Sequence, residues 1–213
     1  MTCTLYGYPE TATFGPHAVL AEIGLDFTVE TVDVPSGGCH APEYLAVNPA
    51  GYVPALKFND GPQQGQVIYE AAAIMLYLAD LHGQADLAPA VDDPDRALFL
   101  RSLFYLSSTV QEAYKHYYYP ARYTVDEAGA DAVQKRSLEL LKARWQIVEN
   151  NLTKAGPYAL GARFSLVDVY TAMLASWDPH PDTFYEQFPS IRRSRDLVVD
   201  RPRLRDAARE HAV

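Results

Sequence analysis

The sequence predicts an α/β unit followed by an all-helical bundle. Three observations carry this. Strand-like and helix-like runs alternate through residue 83, and only helical patterning follows residue 95. The charge also changes sign along the chain. Residues 1–95 hold thirteen acidic side chains and one basic one, Lys57, a net of −12; residues 96–213 hold fourteen acidic and seventeen basic, a net of +3. Such asymmetry fits two units better than one, and 213 residues suffice for a substantial core.

The first unit opens on "TCTLYG", a strand broken by Gly7-Tyr8-Pro9. Gly15-Pro16 then starts a helix through "HAVLAEI", because a proline is tolerated in a first turn whose N–H groups have no helical partner; Gly24 stops it. "FTVETV" at 27–32 alternates with period 2 and predicts a half-buried strand. "PEYLAV" gives a short helical turn. "PALKF" and "QVI" flank the turn-rich "NDGPQQG" and predict an antiparallel hairpin. "EAAAIMLYLADLH" follows as a helix with Ile74, Leu78 and Leu81 on one side, ended by Gly83. The order is β-α-β-α-β-β-α, a small layered fold.

Residues 84–94, "QADLAPAVDDP", read as a linker between units at 1–83 and 95–213. Beyond it, one long helix runs from Leu98 to Tyr119 and stops at Pro120. A second runs from about Val125 to Lys154, and a third begins at "FSLVDVYTAMLASW". Two shorter helices close the chain. In "FSLVD", Ser165 caps and Asp168 reaches back to it, while Phe164 and Val169 form a hydrophobic staple.

Composition narrows the function classes. A net charge of −9 argues against nucleic acid as a bulk partner. No apolar run approaches the ~18 residues of a membrane span. The start, "MTCTLYGYPE", has no basic region followed by an apolar segment, and the two cysteines, Cys3 and Cys39, form neither CxxC nor a metal-like cluster. A cytoplasmic, reducing location is the expectation.

One stretch resists a purely structural reading. In "NPAGYVPAL", residues 48–56, a proline stands where a strand should begin. Proline gives no N–H to a ladder and is confined to edges, first positions or bulges. Together with the β-α-β-α-β-β-α order, the "YEAAAIMLYLAD" helix and the Ser-x-x-Asp box of the helical half, it resembles a cytosolic glutathione transferase over nearly the whole chain. "YYYPARYT" and "SWDPHPDTF" are further similar to a bacterial branch of that superfamily.

The resemblance implies a thioredoxin-like first unit that binds glutathione as co-substrate, a helical second unit, and no metal. It also implies a cytoplasmic, detoxifying homodimer that conjugates glutathione to a small apolar electrophile or uses it as a reductant. The same fold without chemistry, a ligand- or protein-binding module, is the alternative. The Val53–Pro54 bond is then cis, and Val53 offers its backbone to the cysteinyl part of the tripeptide, as an exposed backbone edge recognises a peptide. Glu70 and Ala71 stand at the glutamyl end; the family usually carries Ser where Ala71 is. Tyr52 replaces a common Gln or Lys. Lys57, His40, or a basic residue of the second half or a partner subunit are candidates for the glycyl carboxylate.

Conjugation needs a thiolate, which a hydroxyl donor or helix N-terminus favours. The position resembling the catalytic Cys of one bacterial class is Ala12, so that chemistry is absent. Thr11 falls where several classes carry a catalytic Ser, and Thr13 lies nearer the helix start; either hydroxyl can donate to sulfur. Tyr6 and Tyr8 are the runners-up, with Tyr8 also a glutathione contact. The electrophile pocket implied by the family is lined here by Tyr114, Tyr118 and Arg122 of "SSTVQEAYKHYYYPARY", with Tyr117 and His116 beside them. An aromatic wall with few polar groups suits an apolar substrate.

Overall fold

The computed structural model describes residues 1–83 and 86–213, except the side chain of Glu127. Gln84 and Ala85, the first two residues of the expected linker, lie outside the described residues. The chain forms two compact units: residues 1–90 together with 198–213, and residues 91–197.

The first unit is built on β1 (Thr2–Gly7), α1 (Phe14–Ile23), β2 (Asp26–Thr31), α2 (Pro42–Leu45), β3 (Ala55–Phe58), β4 (Val67–Tyr69) and α3 (Ala71–Leu81). The sheet order is β2-β1-β3-β4. β1 runs parallel to β2 and antiparallel to β3, and β4 is antiparallel to β3. This is the thioredoxin-like arrangement expected from the sequence. Leu5, Leu56 and Phe58 of the central strands pack with Phe14, Leu20, Ile74 and Leu78 of α1 and α3 in the core, all 0–1% exposed.

Two elements differ from expectation. β2 is an edge strand on which Phe27 alone is partly buried, rather than a half-buried one. Three helices close the chain, not two: α8 (Pro181–Gln187), α9 (Pro189–Val199) and α10 (Arg205–Glu210). α10 packs on α1 and belongs to the first unit. Arg201 pairs with the Glu22 carboxylate, and Arg203 donates to the Glu22 carbonyl at 2.6 Å. Some of the positive charge of the second half is thus spent on the acidic first unit. His17 Nδ1 of α1 lies 3.2 Å from His211 Nε2, and burial pushes the pKa of both imidazoles down, that of His211 to about 4.

The helical unit contains α4 (Arg96–Tyr105), α5 (Gln111–Tyr118), α6 (Ala130–Ala155), α7 (Leu166–Ala175), α8 and most of α9. The expected long helix is continuous in course but carries a π turn at Leu106–Val110 between α4 and α5. Such turns shift the hydrogen-bond ladder by one residue and leave groups to be satisfied elsewhere. Arg144 donates to the Thr109 carbonyl at 2.6 Å, and the Tyr170 hydroxyl bonds Gln111.

The Ser165–Asp168 box forms as expected. Asp168 accepts from the Ser165 N–H and hydroxyl and from the Ala159 N–H, at 2.8–3.0 Å. Burial nevertheless pushes its carboxyl up to about 7. Glu149 of α6 accepts from the N–H groups of Ser190 and Ile191, both at 3.0 Å, and so caps α9 from a neighbouring helix. Among the described residues no helix is long and apolar enough to cross a membrane. Both cysteines are buried and neither is in a disulfide.

Candidate functional site

Strand register brings the predicted site residues of the first unit to one end of the sheet. Tyr6 of β1 opposes Ala55 of β3, which opposes Tyr69 of β4. One residue further stand Gly7, the last residue of β1, Pro54 just before β3 and Glu70 just after β4. The loop 8–13, the segment 52–54 and the start of α3 therefore converge.

The Val53–Pro54 peptide is cis, as the resemblance implies. The segment before it is held firmly. The Tyr52 carbonyl accepts from the Tyr44 hydroxyl at 2.6 Å and from Asn48 Nδ2 at 2.7 Å. Asn48 Oδ1 in turn accepts from the Ala50 N–H at 3.0 Å. Burial pushes the Tyr44 phenol up to about 12, so it remains a donor at neutral pH. Gly51 takes φ +68°, a conformation that favours glycine, and an added Cβ would lie 3.0 Å from the exposed His40 ring. Val53 itself is half-buried against Tyr44, Val32 and Cys39. Among the described residues, its N–H and C=O have no hydrogen-bond partner.

Glu70 caps α3 with φ 71° and ψ 111°, a backbone region that non-glycine residues rarely occupy. Its side chain is exposed and has no partner among the described residues. The first intrahelical bond of α3 runs from the Ile74 N–H to the Glu70 carbonyl at 2.9 Å, and no side chain caps this end. The N–H groups of Ala71, Ala72 and Ala73 are left at the positive end of the helix. Lys57 lies inside β3, and Tyr52 is 51% exposed.

The two threonines lie together but are not equivalent. The Thr11 hydroxyl donates to the Tyr8 carbonyl at 2.6 Å. Thr13 Oγ1 accepts from the Tyr8 N–H at 3.2 Å and lies 2.8 Å from Thr11 Oγ1. A hydroxyl has one proton. With the Thr11 proton on Tyr8, the Thr13 proton goes to Thr11. Thr13 is 1% exposed, whereas Thr11 is half-buried. Gly7 makes this packing possible: a Cβ there would lie 2.1 Å from Thr13 Cγ2. Ala12 is buried beside them. Tyr6 is half-buried, and its phenol is pushed up by burial and by Glu30.

In the helical unit, Tyr114 is buried, and its hydroxyl accepts from Trp145 Nε1 at 3.0 Å. Tyr118 is exposed over part of its ring, stacks on Tyr114 with centroids 6.3 Å apart, and donates to the Trp177 carbonyl. Arg122 is exposed, with its guanidinium 4.3 Å over the Tyr119 ring. The His116 ring lies 3.7 Å from that of Tyr123, and His116 Nδ1 contacts the Glu112 carbonyl at 2.7 Å.

Residues 1–80 match the family model of the glutathione S-transferase N-terminal domain. The whole chain is 30% identical to an uncharacterized GST-like protein of Escherichia coli, YncG, over 98% of each chain. The chain belongs to the glutathione transferase family. Two solved structures extend the likeness to both units. A glutathione transferase of Methylococcus capsulatus shares 31% identity at TM-score 0.84, covering 99% of this chain and 98% of that one. A glutathione transferase homologue from Sulfitobacter, solved with bound glutathione, shares 26% identity at TM-score 0.88, covering 100% of this chain and 99% of that one.

Sequence reasoning missed three parts of this transferase. Tyr44 and Asn48 pin the Tyr52 carbonyl, and Gly7 makes room for Thr13. The side chains of His17, Glu210 and His211 also meet, with ligand atoms within 4.8 Å of one another. The tight "NPAGY" loop was a signal for Asn48; nothing local marks the others.

Proposed function

We propose that this glutathione transferase binds glutathione across the sheet end formed by Gly7, Pro54 and Glu70, and delivers its thiolate to a small apolar electrophile or uses it as a reductant. The observation that carries the reading is Val53. Its unpartnered N–H and C=O follow a carbonyl held by two side chains, so a pre-set edge is open to the cysteinyl backbone. The unpaired Glu70 carboxylate meets the glutamyl ammonium. The free N–H groups of Ala71 and its neighbours at the start of α3 meet the glutamyl carboxylate, without the hydroxyl that a serine would add. Lys57, His40 or a partner subunit's cation takes the glycyl carboxylate.

Thr11 is the sulfur donor in this reading, and Thr13 is a positioning residue. Thr13 is too buried to touch a ligand. Thr11 turns its O–H from the Tyr8 carbonyl to the thiolate while accepting the Thr13 proton, and hydrogen-bonded chains of this kind polarise one another. Tyr8 supplies the backbone that holds both. Tyr118 and Arg122 meet the electrophile, with Tyr114 buttressing Tyr118 from behind. We further propose a cytoplasmic, detoxifying homodimer, which light scattering at micromolar concentration tests.

The deciding experiment is retention on immobilised glutathione followed by turnover of a chromogenic aryl halide. Retention with turnover is the expected result. Retention without turnover makes the protein a binding module, and no retention removes the reading.

A further inference from the structure

Three side chains that the transfer reaction does not use come together between α1 and α10. His17 sits one turn into α1, its N–H bonded to the Thr13 carbonyl at 3.0 Å. Glu210 and His211 end α10 and arrive from the far end of the sequence, and the His211 N–H bonds the Ala207 carbonyl at 3.0 Å. We propose that His17 Nδ1, His211 Nε2 and Glu210 Oε2 form a binding site for a divalent cation of the zinc class.

The distances suit it. Two imidazole nitrogens bound tetrahedrally to zinc at 2.0–2.1 Å stand roughly 3.3 Å apart, and here the two nitrogens are 3.2 Å apart. Glu210 Oε2 is 4.0 Å from His17 Nδ1, and the three ligand atoms lie within 4.8 Å of one another, so closing to the same ligand spacing needs a shift of roughly 1–1.5 Å. Its side chain is 47% exposed and free to swing, which also gives the ion a way in. The donor set of two imidazoles and one carboxylate leaves a fourth position for water and selects zinc, cobalt or nickel over calcium or magnesium.

The surroundings are those of a fixed site. His211 is 2% exposed. Phe14 and Phe27 pack edge-on against the two rings, with centroids 5.8 and 5.3 Å away. Both imidazoles and the Glu210 carboxylate offer one ligand atom each to a common point. A bound ion clips the C-terminal helix to α1, the helix whose start carries Thr13. It therefore stabilises the first unit without entering the chemistry.

The test uses untagged, chelator-stripped protein titrated with Co²⁺ and then Zn²⁺. The proposal expects one equivalent of Co²⁺ to give the visible absorption of tetrahedral coordination, bleached by Zn²⁺. It also expects Zn²⁺ to raise Tm by several degrees when in large excess over its Kd. Glu210→Gln, at an exposed position, should leave the metal-free Tm unchanged and weaken Co²⁺ binding at least tenfold. His17→Gln should abolish the visible band. No band and no Zn²⁺-dependent Tm shift in the parent overturns the site. So does a shift of the same size in the parent and in both variants, which would mark adventitious binding elsewhere. Retention on glutathione is measured in parallel and stands or falls separately.

Discussion

The hydroxyls of Thr11 and Thr13 lie 2.8 Å apart, and their two protons are ordered by the Tyr8 peptide between them. The arrangement depends on Gly7. Gly7→Ala places a methyl 2.1 Å from Thr13 Cγ2, deep in a packed region where the neighbour has no room to withdraw. We expect a loss of about 1–3 kcal/mol in stability, the usual cost of overpacking. Retention on glutathione should weaken in parallel. Denaturant unfolding and the affinity column measure both on one preparation.

The Tyr44 hydroxyl holds the Tyr52 carbonyl at 2.6 Å, while the Tyr44 ring packs in the small cluster under Val53. Tyr44→Phe keeps the ring and removes the donor. Asn48 still holds the carbonyl, so the backbone edge loosens rather than collapses. A neutral hydrogen bond contributes about 0.5–1.5 kcal/mol, so glutathione affinity should fall roughly two- to tenfold. Calorimetric titration of glutathione reads this directly. An unchanged Kd would mean that the edge is not what the ligand uses.

Asp168 gives a pH dependence whose sign is fixed. Its folded pKa of about 7 lies above the ordinary carboxylate value, so the folded state favours the neutral acid. Its contribution is complete below about pH 4 and is lost as pH rises through about 7. The change is on the order of 4 kcal/mol, at ~1.4 kcal/mol per pKa unit. The stability difference between the parent and Asp168→Asn should therefore shift against the parent between pH 4 and 8 and level off above. Urea midpoints across that range test it; a difference independent of pH would mean that the box binds the carboxylate and the acid equally well.

Most of the scaffold was legible in the sequence because local signals agreed. Gly24, Pro54, Gly83 and the "NDGPQQG" turn punctuate the first unit where the structure has its boundaries, and "FSLVD" specified a complete capping box. The exposure of β2 was not legible, since alternation says nothing of whether a layer covers the outer face of an edge strand. The π turn was not legible either: Leu106–Val110 keeps a helical pattern, and its extra residue is accommodated by Arg144 and Tyr170 from distant helices. The same holds for the site. The row of Gly7, Pro54 and Glu70 follows from motifs, but the inequality of Thr11 and Thr13 depends on burial. The pairing of His17 with His211 spans 194 residues and leaves no local trace.

The account rests on Thr11 directing a proton to the glutathione sulfur, and thiolate absorbance of bound glutathione against pH tests that most directly. A free thiol titrates near ~8.5, and a hydrogen bond to a charged group contributes ~1.5–3 kcal/mol, or roughly one to two pKa units. The parent should titrate below the free value. Thr11→Ala should raise that pKa by one to two units, with some loss of stability because the Thr13 N–H and hydroxyl lose their acceptor, whereas Thr11→Ser should restore both. Thr13→Ala should shift it less while destabilising the fold, because it strands the Tyr8 N–H. A Thr11→Ala protein that still binds glutathione and titrates like the parent would contradict the account.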